Sequence, residues 1–158
     1  MAELSSSARR VRDALARKGL HCNVLEMPKT TRTAQDAAAA IGCSVEQIAK
    51  CLIFKTSRTG RPILVIASGP NRVHEKRLAE LVGEPIERAD PDFVRKSTGF
   101  AIGGVPPVAH PEQIQTFIDR DLLAMDQIWT AAGTPHAVFA LPPAELVRVT
   151  GGECISVQ

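Results

Sequence analysis

Lys50 and the segment Gly99–Pro107 are the places in this sequence where residue type and position suggest chemistry. Lys50 has apolar neighbours, Ala49, Cys51, Leu52, Ile53 and Phe54. A lysine so placed either runs its stem along the surface or aims its charge into a cleft. The second place reads Gly103, Gly104, Val105, Pro106, Pro107. Two glycines allow close backbone approach or positive φ, and two prolines stiffen the exit. Amides ahead of the prolines could form a nest for a carbonyl oxygen or a phosphate, and a tight corner turn would use the same residues. The order is neither that of a Walker loop nor that of a dinucleotide fingerprint.

A third segment, Ala131 to His136, is rich in small residues and includes Gly133. It suits the floor of a small pocket or a plain hairpin loop. His136 is a candidate general base, or a solvated loop histidine. His21, His74 and His110 have no evident partner in the sequence. Cys22, Cys43, Cys51 and Cys154 are widely spaced and form no C-x-x-C, so zinc and thioredoxin-type chemistry lack their spacing. No metal ligand set and no cofactor is expected. Cys51 is a candidate nucleophile, but it adjoins Lys50. If both lie in a strand they face opposite sides, and a Lys50 in a cleft puts Cys51 in the core. The Gly-x-Ser-x-Gly elbow of the common serine hydrolases is absent.

These residues need elements to hold them. Residues 4–18 read as a helix stopped by Gly19, and residues 21–27 as a short strand ended by Pro28. Thr33 with Asp36 resembles a capping box for an alanine-rich helix that ends at Gly42. Ser44 with Gln47 is a second box, predicting a helix over 45–50 with Lys50 at its end. Residues 51–54 and the apolar run 62–67 read as strands, the latter covered on both faces. A helix follows over 73–82, and Asp90 with Pro91 opens another that stops at Gly99. Residues 100–102, 114–118, 128–131 and 137–141 read as strands, and 142–150 as a last helix. The connections are too short for a doubly wound parallel fold. The expected fold class is α/β: one domain over 1–158, a curled mixed β-sheet flanked by helices.

Composition narrows the functions. At 158 residues the chain fits one domain that folds without disulfide or metal. With 44% hydrophobic and 23% charged residues it is a globule, not a disordered segment. Nineteen Lys and Arg against seventeen Asp and Glu leave a net charge of +2, too little for tight non-specific binding to long nucleic acid, DNA included. A local basic patch remains open. Five Phe, one Trp and no Tyr disfavour a reader that stacks successive bases on a row of rings. No apolar run approaches the length of about 18 residues that spans a membrane. The first residues lack the apolar core of a signal peptide, so a cytoplasmic location is expected.

Three segments together resemble the YbaK/EbsC family, free-standing relatives of the prolyl-tRNA synthetase editing domain. They are Thr33 to Phe54 with Lys50 inside, Gly99 to Pro107, and Trp129 to His136 leading to Leu141. Residues 67–76 are similar to one branch of it. The resemblance covers roughly residues 20–152, and Lys50 with the glycine–proline loop is its specific combination. It implies an aminoacyl-tRNA deacylase: a trans-editing hydrolase that removes a small non-cognate amino acid, typically from tRNA(Pro), without metal or protein nucleophile. In that reading Lys50 contacts the terminal adenosine or its phosphates. Gly103 and Gly104 belong to the loop whose backbone holds the ester carbonyl. Thr33, Phe100, Val105, Pro107, Ala131, Gly133 and His136 contribute to substrate binding. The implied partners are aminoacylated tRNA and prolyl-tRNA synthetase. Some members carry Tyr and an acid where this chain has Val24 and Val138, a departure from the cysteine-specific members that opens alanine, serine or a similar small residue as implied substrates beside cysteine. A non-catalytic module that holds aminoacyl-tRNA or docks on a synthetase would use the same patch and loop.

Overall fold

The computed structural model describes residues 4–158. Its frame is an eight-stranded mixed sheet, unclosed, with five α-helices around it. The central strand is β2, Ile48–Thr56, and it lies between two very different neighbours. On one side it pairs antiparallel with β3, Pro62–Ser68, along its whole length, from Ala49 opposite Ser68 to Lys55 opposite Pro62. On the other it meets β6, Ile128–Ala131, in parallel for two residues, then β4, Ile86–Arg88, antiparallel. Beyond β6 come β7, Ala137–Leu141, and β1, Leu25–Glu26. Beyond β3 come β5, Gln115–Asp119, and β8, Glu153–Ile155, both parallel to their neighbours. The expected α/β class and mixed sheet are those found.

Alternation along β2 and β3 sorts their side chains onto two faces. Ala49, Ile53, Leu64 and Ile66 join the larger core with Ile118, Phe139, Phe100 and Val105. That face is covered by α1, Ser6–Arg17, α4, Pro91–Thr98, and α5, Pro143–Thr150, which bury Val11, Leu15, Val94 and Leu146 on it. Phe54, Ile63, Val65 and Ala67 point the other way, against Leu78 of α3, Glu75–Val82. β3 is thus apolar on both sides, as its unbroken run predicts. A small third cluster joins Ala37 and Ala38 of α2, Ala34–Ile41, to Ile48 and Trp129.

Several expectations need correction. The helix over 45–50 is one 3-10 turn, Val45–Gln47, and the chain is extended from Ile48 onward. The Ser44–Gln47 box is present but local; pairing of Ile48 and Ala49 with β6 and β3 claims the residues after it. Lys50 therefore sits inside a strand, not at a helix end. Residues 100–102 are not a strand: the Ala101 carbonyl accepts the Gly104 amide at 3.0 Å and closes a turn. Of residues 21–27 only Leu25–Glu26 pair, because β7 offers them only Val138 and Ala137. β4 and β8 were not anticipated. His74 has a local role, its Nδ1 accepting the Arg77 amide at the start of α3.

Candidate active site

The helix ahead of the site is set by its cap. The Thr33 hydroxyl accepts the Asp36 amide at 3.0 Å, which starts α2 and brings Ala34, Gln35 and Ala37 to the wall of a cavity of about 330 Å³. β2 contributes Ile48 to Leu52, β6 contributes Trp129 to Ala131, and β7 contributes Val138. Gly103 and Val105 close the opposite side with Ile102 and Arg32. Lys50 and the glycine loop, distant in sequence, thus line one hollow.

Lys50 is half-buried, and its Nζ donates to the Gly69 carbonyl at 3.0 Å. Desolvation lowers its pKa, the nearby Arg88 and Arg72 lower it further, and Asp119 opposes them. A cation held by one carbonyl beside two more cations is primed to receive an anion. Cys51, its neighbour, packs against the larger core and lies 3.7 Å from the Thr130 hydroxyl. Burial pushes its thiol up to about 12, offset in part by the Thr130 contact. At neutral pH it is a thiol, not a thiolate nucleophile.

The loop is fixed by close approach. Gly103 has φ +92°, and a Cβ there would sit 2.6 Å from Arg32 Cγ. At Gly104 a Cβ would lie 2.8 Å from the Thr134 backbone. The Gly104 amide is used internally by Ala101, and its carbonyl accepts the Gly133 amide at 2.9 Å. The nest is therefore smaller than a run of free amides: among the described residues no backbone hydrogen bond uses the Gly103 or Val105 N–H.

The other candidate positions fall outside the cavity lining. Phe100 is buried in the core behind the loop, with the Arg10 guanidinium 4.5 Å from its ring centroid. Gly133 is buried beneath Gly104 and beside Ser7 of α1. Pro107 lines a separate hollow on the far side with His110, whose Nε2 lies 2.8 Å from the Pro106 carbonyl. His136 is exposed, and its carbonyl accepts the Met27 amide at 2.7 Å. Thr33, Lys50, Gly103, Val105 and Ala131 do line the cavity. So do Arg32, which sequence reasoning did not select, and Trp129 and Val138, which it named only within a family-like segment and as a departure from the cysteine-specific members. Arg32 ends a polar run after Pro28, Lys29 to Arg32, which was a usable signal.

The aminoacyl-tRNA editing domain model matches residues 28–149, most of the chain and all of the cavity wall. The chain belongs to the aminoacyl-tRNA editing-domain family. The hydrolase class expected from the sequence, aminoacyl-tRNA deacylase, is the class this family carries. A solved structure described as a candidate trans-editing enzyme for prolyl-tRNA synthetase superposes with a TM-score of 0.93 at 44% identity, over 99% of each chain. The uncharacterised protein YwhH of Bacillus subtilis is 29% identical over 124 residues, 78% of each chain. The candidate Cys-tRNA(Pro)/Cys-tRNA(Cys) deacylase EbsC of Enterococcus faecalis is 24% identical over 122 residues, 77% of this chain and 74% of EbsC. Among the described residues of this editing domain, no helix is long and apolar enough to cross a membrane, and no His, Cys, Asp or Glu group is arranged to hold a metal.

Proposed function

We propose that this editing domain acts in trans on tRNA(Pro) carrying a small non-cognate amino acid and hydrolyses the ester at its 3′ end. The observation that carries the reading is the single cavity shared by Lys50 and the amide-bearing Gly103–Val105 turn. An aminoacyl ester is already activated, so a water and a few placed donors suffice. The Gly103 and Val105 N–H groups are available to the oxyanion that develops when water attacks, and one such donor is worth about 10²–10³ in rate. The vicinal hydroxyl of the terminal ribose orients that water. Lys50 takes the adenosine or its phosphate, with Arg32 in the cavity wall and Arg72 and Arg88 near Lys50 adding positive field.

Ala37, Ile48, Trp129 and Val138 form an apolar part of the cavity wall. It offers no charge to the amino-acid side chain, so selection there rests on size. Attraction for one methylene is worth only about 1–3 kcal/mol, and clash with the wall must exclude larger residues. A tRNA substrate supports a cytoplasmic location.

The test is a panel of tRNAs mischarged with alanine, serine, cysteine and proline, with the protein substoichiometric. Multiple turnovers on a small-residue tRNA(Pro) are expected, and Lys50→Ala should lower kcat/KM at least about 100-fold with a nearly unchanged melting temperature. Stoichiometric protection of the ester without release would make the protein a carrier instead. Repeating the assay with prolyl-tRNA synthetase added reads any dependence on that partner.

A further inference from the structure

Asp119, at the end of β5, is a carboxylate with 1% exposure and no ion-pair partner within 4 Å among the described residues. Burying such a charge is costly unless hydrogen bonds satisfy it, so its partners matter. Oδ2 accepts the Ser68 amide at 3.0 Å and the Asn71 side-chain amide at 2.8 Å, and Oδ1 accepts the Asp121 amide at 3.0 Å. The same Asn71 amide also reaches Asp121 Oδ2 at 2.8 Å, and the Asn71 backbone amide donates to the Ser68 carbonyl at 2.9 Å. The Ser68 hydroxyl is tied to the Glu46 carbonyl at 2.7 Å. Residues 68–71 are thereby fastened from below by Asp119, and between the two fastened residues lies Gly69, whose carbonyl holds Lys50.

We propose that Asp119 is a positioning residue for Lys50: it fixes the Ser68–Asn71 turn that presents the Gly69 carbonyl to the ammonium, and it sets a buried negative charge beneath that turn. The inference rests on the editing function for its kinetic consequences, but its electrostatic part stands without it. The groups facing Lys50 are Arg88 from β4, Arg72 from the turn after β3 and Asp119 from β5, with Arg32 across the cavity. Arg88 is itself 4.0 Å from Glu75. Asp121, exposed, stands behind Asn71. Three cations thus surround Lys50, and Asp119 is the buried charge of opposite sign. Removing it favours the neutral amine.

The experiment is to replace Asp119 by Asn and to follow two quantities. The first is the pH dependence of Lys50 labelling by an amine-directed reagent, read by mass spectrometry; it needs no substrate. Its midpoint should fall in Asp119→Asn. The second is deacylation: the alkaline limb of kcat/KM should move down with it, with the loss mainly in KM. An unchanged labelling midpoint in a folded Asp119→Asn overturns the electrostatic role. If that variant does not fold, Asn71→Ala cuts one bond to the carboxylate and leaves its charge. It should keep the labelling midpoint but raise KM several-fold, and an unchanged KM overturns the positioning role. A shifted midpoint in a protein that deacylates nothing would leave this inference standing and dismiss the proposed function.

Discussion

A single atom decides much at Gly104. Its Cβ position is occupied by the Thr134 backbone, which cannot give way as a side chain would. Gly104→Ala should therefore destabilise the protein by about 1–3 kcal/mol through overpacking and lower its thermal midpoint. Gly103→Ala meets a flexible Arg32 instead, but its φ of +92° is strained for any Cβ. Lys50 and the glycine pair were legible from residue type, because a cation among apolar residues and two glycines before two prolines are both unusual. The use of each amide was not. The Gly104 amide donates back to Ala101, and its carbonyl accepts from Gly133, which lies 29 positions away. Asp119 was hidden for the same reason: its partners Ser68 and Asn71 belong to a different segment.

At the scale of elements, local chemistry was readable and pairing was not. The Thr33 and Asp90 caps lie at the helix starts where the sequence places them, since a cap needs only residues within one turn. Two short strands, β4 and β8, have three residues each and exist because β2 and β5 offer them hydrogen bonds. The Ser44–Gln47 box predicts a longer helix than forms, because sheet pairing outweighs a local start signal. The Thr33 cap carries a prediction of its own. Thr33→Ala should cost about 1 kcal/mol, seen as a lower denaturant midpoint. Because α2 forms one cavity wall, KM for the ester substrate should rise as well.

For the whole molecule, charge placement matters more than its sum. A net +2 hides a cluster in which Lys50, Arg72 and Arg88 lie close enough to depress one pKa. Such a cluster should capture a single-stranded acceptor end and let it go. If two phosphates are contacted, kcat/KM should fall about five- to tenfold between roughly 50 and 200 mM salt, by release of condensed ions. Initial rates measured across that range check the slope; a flat response would remove phosphate contacts from the binding step.

The turn at Gly103–Val105 is fastened from behind, its middle residue bonded to Ala101 on one side and to Gly133 on the other. An aperture anchored in this way has a fixed calibre and cannot stretch around a bulky guest. Relatives that came to accept different amino acids would have changed the lining at Trp129, Ala131 or Val138 and kept the frame, as a gauge is re-bored rather than re-hinged.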